Sequence, residues 1–128
     1  MDQQDNDISN LRTYKSLPAW QRAMALAIRV LHLTQKWPEE DRDVITPDAL
    51  RSAVLVACNI ELGHESGSMS ELFEHLDVAR GKLARLRSLL IIAQQVGYYS
   101  LEEYEEVSGE IDTIRMLIDS MPGSPGSF

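Results

Sequence analysis

Apolar residues recur every three or four positions along four separate segments of the chain. The longest run alternates steps of four and three and consists of Leu72, Leu76, Ala79, Leu83, Leu86, Leu90 and Ala93. This spacing places all of these side chains on one side of a single long α-helix. Because such a stripe must be buried against other helices, the sequence predicts an all-α protein.

Capping and helix-ending residues set the bounds of the four predicted helices. The predicted helices cover about residues 18–36, 47–62, 68–96 and 100–121. Thr46 is predicted to cap the second helix, and Gly63 followed by Ser66-Gly67-Ser68 to end it, while a Ser-x-x-Glu capping box begins each of the last two. Short connections favour antiparallel neighbours, so the predicted fold is an up-down-up-down four-helix bundle. Gly81 and Gly109 lie inside helices, where we expect a close helix approach to compensate for glycine.

The same spacing predicts which side of each remaining helix faces the core. For the first helix this side contains Trp20, Ala23, Met24, Ala27, Leu31 and Thr34. For the second it contains Leu50, Ala53, Val54, Ala57 and Ile60. For the fourth it contains Tyr104, Val107, Ile111, Ile114, Ile118 and Met121.

The second helix carries an additional apolar stripe. Leu55, Cys58 and Leu62 follow Arg51 at the same four-three spacing, about 120 to 140° from the centre of the predicted core side. A monomer would leave this stripe in water, so we predict that Leu55, Cys58 and Leu62 form a contact with another subunit. The alternative is that a bent neighbouring helix or the N-terminal arm covers the stripe within one chain.

Composition limits the function classes. The 128 residues, 44% of them hydrophobic, suffice for one domain, predicted over residues 14–121 between a disordered arm (1–13) and a flexible tail (122–128). A net charge of −8 argues against general nucleic-acid binding. Neither a secretory signal nor an apolar run of about 20 residues is present, so we expect a cytoplasmic protein without a membrane span.

Basic residues cluster in the middle of the third helix. Arg80, Lys82, Arg85 and Arg87, together with Arg51, are candidates for contact with a nucleic acid or an acidic partner. The alternative is that they pair with the carboxylates of the fourth helix, within or between subunits.

Glu61 and His64 have the Glu-x-x-His spacing that supplies two metal ligands in di-iron bundles. Such a site needs a second pair of this kind and two further inward glutamates, which the other stripes do not contain. Cys58, the only cysteine, has no neighbour that would activate its thiol. We therefore expect no enzyme activity, no metal and no cofactor.

Several short stretches, taken in order, resemble a bacterial protein family. They are Leu17 to Trp20, Leu33-Thr34, Trp37-Pro38, Arg51-Ser52-Ala53-Val54, Asn59-Ile60 with Gly63, Ala79-Arg80-Gly81 with Leu83, and Val96-Gly97-Tyr98. Over about residues 14–121 the chain resembles the four-helix bundle proteins first associated with intervening sequences in bacterial large-subunit ribosomal RNA genes. It departs from the family at Leu50, Leu55, Ala57 and Leu62, where the family usually has an arginine, a serine, a proline and an acidic residue.

The resemblance implies a ring-forming subunit, with a pentamer as the favoured homo-oligomer. We therefore expect a non-enzymatic structural or binding scaffold that associates with itself. A related branch of the family assists reverse transcriptases of diversity-generating retroelements and is basic, so a nucleic-acid-binding accessory protein is the alternative function. A metal-dependent enzyme is the third.

Overall fold

The computed structural model describes residues 14–38 and 44–121, and its regular structure within these ranges is entirely helical. A short 3-10 turn, Tyr14–Ser16, is followed by four helices: α1 (Pro18–Thr34), α2 (Ile45–Glu65), α3 (Met69–Gln95) and α4 (Leu101–Asp119). The predicted all-α class is confirmed. The predicted N-terminal arm and C-terminal tail lie outside the described residues.

Each helix packs against the next in the chain, and α1 also packs against α4. Asp48, near the start of α2, binds Arg85 in the second half of α3 at 3.1 Å. Asn59, farther along α2, contacts His75 nearer the start of α3 at 3.0 Å. The order of these contacts shows that α2 and α3 run antiparallel, as the predicted bundle requires.

The predicted apolar stripes of α3 and α4 form the core. The stripe of α3 is buried apart from Leu72, and the stripe of α4 is buried apart from Tyr104; both exceptions are half-buried against the core. The predicted ends of α3 are also confirmed. The Ser68 hydroxyl accepts a hydrogen bond from the Glu71 amide at 3.3 Å, and Gly97 follows the helix with a φ of 88°. At α4 the reciprocal capping box of Ser100 and Glu103 is present.

The start of α2 differs from the prediction. The helix begins at Ile45, so Thr46 lies in its first turn and does not cap it. Thr46 is 9% exposed, and its hydroxyl has no hydrogen-bond partner among the residues that the structure describes. The helix begins before Thr46 because Ile45, the apolar residue that precedes it, packs against the core.

The end of α2 is predicted correctly at Ser66-Gly67-Ser68 but not at Gly63, which serves packing rather than termination. The helix continues to Glu65, and Gly63 is buried within it. A Cβ atom at Gly63 would lie 3.1 Å from both the Cβ of His75 and a methyl group of Leu72. Glycine therefore allows α2 and α3 to approach closely at this position. The left-handed turn after the helix is made by Gly67, with a φ of 69°.

The close approach predicted for Gly81 and Gly109 is wrong. A Cβ atom added to either residue would meet nothing within 4 Å. Both glycines are exposed on the outer surfaces of α3 and α4, where no packing contact compensates for their low helix propensity.

The predicted core sides of α1 and α2 are partly wrong. Met24, Leu31 and Val54 are 39%, 43% and 48% exposed, whereas Ala23, Thr34, Ala53, Ala57 and Ile60 are buried as predicted. The core of α1 is formed mainly by Leu26, Val30 and Leu33, and Val56 joins the core from α2. Each of these helices has two adjacent apolar sides, and the prediction selected part of the outer one. None of the helices in the described ranges is long and apolar enough to cross a membrane.

Candidate interaction surfaces

An apolar groove of about 590 Å³ runs along the outside of the bundle between α1 and α2. This α1–α2 groove is lined by Trp20, Met24, Ala27, Ile28 and Leu31 of α1 and by Leu50, Val54, Ala57, Cys58 and Glu61 of α2. Tyr14 contacts both Trp20, at the start of α1, and Glu61, near the end of α2, so these two helices are antiparallel.

The groove exposes side chains that water disfavours. Ile28 is 53% exposed and Val54 is 48% exposed, and Met24 and Leu31 add to the same strip. Among the described residues that line the groove, Glu61 is the only charged one. Single exposed apolar residues are ordinary, but a contiguous apolar strip of this kind is typical of an interaction site.

One end of the groove is closed by the 3-10 turn. The Tyr14 ring packs edge-on against Trp20, with ring centroids 5.1 Å apart, and its hydroxyl forms a hydrogen bond with the Glu61 carboxylate. Burial and the nearby carboxylates of Glu61 and Glu65 raise the pKa of Tyr14. Glu61 is thus paired with a phenol, while His64 is exposed. Across residues 14–38 and 44–121, no three acidic, histidine or cysteine side chains come together as a metal site would require.

A second surface with exposed apolar residues lies on the neighbouring side of the bundle. We call it the α2–α3 face; its apolar residues are Leu55 and Leu62 of α2 and Val78 of α3. At about 100° per residue, these positions project outward on the sides where α2 and α3 adjoin. Leu62 is 52% exposed and Leu55 is half-buried. The structure therefore divides the predicted interface stripe, because Cys58 lies in the groove and the two leucines lie on this face.

Two of the predicted partner-contact arginines also lie on the α2–α3 face. Arg51 and Arg85 both bind Asp48, at 3.0 and 3.1 Å. The two arginine side chains are 65% and 57% exposed. Their remaining N–H groups lie at the surface, where exposed ion pairs contribute little to stability.

The face between α3 and α4 is held by charged groups. Arg80 binds Asp77 at 2.9 Å and Asp119 of α4 at 2.7 Å, and only 13% of its side chain is exposed. Arg87 binds Ser108 and Asp112 of α4. For Arg80 and Arg87 the structure thus favours the alternative in which the basic cluster pairs with carboxylates of the fourth helix. Lys82, the remaining member of the cluster, is half-buried.

The face between α4 and α1 is charged as well. Arg29 of α1 binds Glu106 at 2.6 Å and Glu110 at 2.7 Å. Partial burial opposes the charged guanidinium, but these two carboxylates outweigh it and raise the pKa of Arg29. Ion pairs therefore join α4 to both of its neighbours, α3 and α1.

Sequence reasoning missed the groove, although a signal for it was present. The first helix contains two overlapping series at three-four spacing, one with Trp20, Met24, Ala27 and Leu31 and one with Ala19, Ala23, Leu26, Val30 and Leu33. One such series is enough for a helix to pack against the core of its own bundle. The presence of both predicts a second apolar contact.

The bundle is similar to a solved structure. It matches a protein of unknown function from the S23 ribosomal protein family of Bacteroides thetaiotaomicron VPI-5482 with a TM-score of 0.74 and 20% sequence identity. The match covers 80% of this chain and 92% of the other, and at this identity it establishes the fold alone. Among curated proteins, none matches the chain.

The family comparison extends over most of the sequence. Residues 15–120 match the family described as 23S rRNA-intervening sequence protein. This range contains all four helices, the α1–α2 groove and the α2–α3 face. The chain therefore belongs to the 23S rRNA-intervening sequence protein family, as its resemblance predicted.

Proposed function

We propose that this protein is a non-enzymatic scaffold that acts by associating with copies of itself. The observation that carries the proposal is the α1–α2 groove, where Met24, Ile28, Leu31 and Val54 form one exposed apolar strip. Burial of apolar surface is favourable by roughly 25 cal/mol per Å², so covering this strip would stabilise an assembly. Cys58, in the groove lining, belongs to the proposed contact, as do Leu55 and Leu62 beside it.

Copies of this chain are the partner that the surface chemistry supports. A chain of net charge −8 repels a phosphate backbone over most of its surface. The two most buried arginines of the predicted basic cluster, Arg80 and Arg87, are bound to carboxylates of their own chain. An apolar groove with a single carboxylate suits another apolar surface better than a nucleic acid. For the number of copies, the resemblance to ring-forming bundles favours five.

The native mass in solution tests the proposal. Light scattering coupled to size-exclusion chromatography would be applied to the full chain and to the Ile28→Glu/Val54→Glu variant. The control is Met116→Glu, which places the same charge at a methionine on α4 that is 69% exposed and outside the groove. We expect the wild type and the control to share one mass of several times 14.4 kDa, five times for a pentamer, and the groove variant to have the mass of one chain.

Two results would contradict the proposal. A wild-type chain that remains monomeric at micromolar concentration would show that copies of itself are not the partner. An oligomer whose mass is unchanged in the folded groove variant would show that the contact lies elsewhere. Circular dichroism of each variant verifies that the helices are retained.

A further inference from the structure

We infer that residues 1–13 bind in the α1–α2 groove of their own chain and compete there with a second copy. The inference rests on the proposed self-association and adds how that contact is regulated, because a chain can associate only after its own segment has left the groove. Self-association is then limited to the fraction of chains whose groove is open.

The groove begins where this segment ends. Residues 1–13 lead directly into Tyr14, the first residue of the 3-10 turn. The Tyr14 ring packs against Trp20 with centroids 5.1 Å apart, and its hydroxyl forms a hydrogen bond with Glu61. The residue that follows the segment is therefore held at one end of the groove, and the segment starts within reach of the groove lining.

The segment is long enough to follow the groove. Between Trp20 and Leu31 the groove extends over eleven residues of α1, about 16 Å. An extended chain advances about 3.3 Å per residue, so about five residues before Tyr14 can span this distance. Residues 122–128 start at a different place, because Met121 lines a separate cavity between α4 and α1. Of the two terminal segments, 1–13 is therefore the one that the groove suits.

The charges of the segment match those at the two ends of the groove. The end at Tyr14 is acidic, because the carboxylates of Glu61 and Glu65 act on the Tyr14 hydroxyl. Arg12 precedes Tyr14 by two residues and can meet them. At the other end of the groove, the Arg51 side chain is 65% exposed. The acidic residues of the segment, all earlier in the sequence, are Asp2, Asp5 and Asp7. A segment that runs along the groove from Tyr14 thus brings opposite charges together at both ends.

Two apolar residues of the segment can cover part of the exposed strip. Ile8 and Leu11 are three positions apart, a spacing that places two side chains on one side of a helical turn. The strip is larger, and its exposed side chains are Met24, Ile28, Leu31 and Val54. Because the gain from apolar burial grows with the area removed from water, two residues hold the segment less firmly than a larger apolar surface would be held. A second copy can therefore displace the segment.

A disulfide between the segment and the groove tests the contact directly. Cys58, the only cysteine of the chain, lines the groove and is half-buried. Asn10→Cys places a second thiol in the segment and leaves Ile8 and Leu11 unchanged. The rate of disulfide formation would be measured in a glutathione buffer, with the full chain at a concentration where light scattering gives the mass of one chain.

The matched control is the same pair of cysteines in a chain with a blocked groove. The Ile28→Glu/Val54→Glu background keeps the length of the segment and changes only the surface that it would cover. An Ile28→Gln/Val54→Gln background repeats the control without added charge. Both positions are more than two-fifths exposed, so the fold should tolerate these substitutions.

We expect the disulfide within one chain to form about tenfold faster with the native groove than with either blocked groove, because binding raises the effective concentration of the two thiols. Equal rates would show that the segment does not bind the groove, so the inference would be wrong while the proposed self-association stands. A disulfide that joins two chains, seen as twice the mass on a denaturing gel, would also overturn the contact within one chain.

The competition is tested by the association of the full chain. Ile8→Ser/Leu11→Ser removes the apolar residues of the segment without changing its charge, and Gln3→Ser/Gln4→Ser is the control in the same segment. We expect the first variant to assemble at a concentration about tenfold lower than the wild type, because its groove is open in a larger fraction of chains. The control should match the wild type. An unchanged concentration for the first variant would contradict the competition. A wild type that stays monomeric would overturn the proposed function, whereas the disulfide rates would still decide the contact within one chain.

Discussion

The two halves of the bundle use their apolar residues differently. In the α3–α4 half, the apolar stripes face the core, and the surface between the two helices is tied by Arg80, Arg87 and their α4 carboxylates. In the α1–α2 half, a second apolar series remains outside the core and lines a groove. Both halves contribute to the same core, so the additional apolar surface of α1 and α2 is not required for folding of one chain.

This difference separates stability from association. A side chain whose apolar surface is already buried contributes to the folding of the subunit, whereas an exposed apolar side chain contributes when a partner covers it. The buried sides of all four helices should therefore determine the free energy of unfolding, and the outer sides of α1 and α2 should determine assembly. Substitutions matched in chemistry but placed in the two regions can test this division.

The largest expected effect is in the core of α3. Leu86 is fully buried, and Leu86→Ala should lower the free energy of unfolding by about 2–5 kcal/mol because it removes buried methyl groups and leaves a cavity. The matched Leu31→Ala, at a leucine 43% exposed in the groove, should lower it by less than about 1 kcal/mol. Urea unfolding would be measured in the Ile28→Glu/Val54→Glu background so that association does not contribute. Equal losses at the two leucines would contradict the division.

A smaller effect is expected at the glycines of α2 and α3. Gly63→Val places a branched side chain against His75 and Leu72, where even a Cβ is tight at 3.1 Å, and should cost about 1–3 kcal/mol. The control Gly81→Val adds the same atoms in open space and should raise stability by about 0.4 kcal/mol, since valine has the higher helix propensity. Thermal unfolding of the two variants measures both changes. A Gly63→Val protein as stable as the wild type would show that close approach is not required.

The smallest effect distinguishes two arginines. Arg80 is 13% exposed and connects α3 to α4 through Asp119, so Arg80→Gln should cost about 1 kcal/mol. Arg51 is 65% exposed and binds Asp48 within its own helix, so Arg51→Gln should cost less than about 0.5 kcal/mol in the monomer. Unfolding at low and high salt would measure both, because salt screens the exposed pair more completely. A larger loss for Arg51 would mean that the α2–α3 face needs its charged cluster for folding.

The regions that could be predicted from the sequence are those with one apolar stripe per helix. In α3 and α4 a single series leaves one choice of core side, and capping residues such as Ser68 and Ser100 mark the helix starts. The class and number of the helices follow from these signals together with the stripes of the first two helices. The end of α2 could not be predicted locally, because the packing of His75 and Leu72 decides the role of Gly63.

Each of α1 and α2 has two adjacent apolar sides, and residue spacing alone does not show which of the two faces the core. Tertiary packing does: the neighbouring helices bury Leu26 and Val56, so Met24 and Val54 remain on the outer side. For the interaction surfaces, the sequence indicated a surplus of apolar residues on α2 and correctly placed Cys58 outside the buried set. The sequence does not predict that Ile28 and Cys58 line the same groove, because the two residues are thirty positions apart and only the fold brings them together.

The two tryptophans lie in environments that differ optically. Trp37 is 2% exposed and packs against the rings of Tyr98 and Tyr99, so its emission should be that of an indole in a dry environment. Trp20 is half-buried in the groove lining. In a Trp37→Phe background, Trp20 emission would be recorded at a series of increasing protein concentrations. A shift of this emission to shorter wavelength as the concentration rises would report occupation of the groove directly. The chain thus contains its own fluorescent reporter at the surface where its copies are proposed to meet.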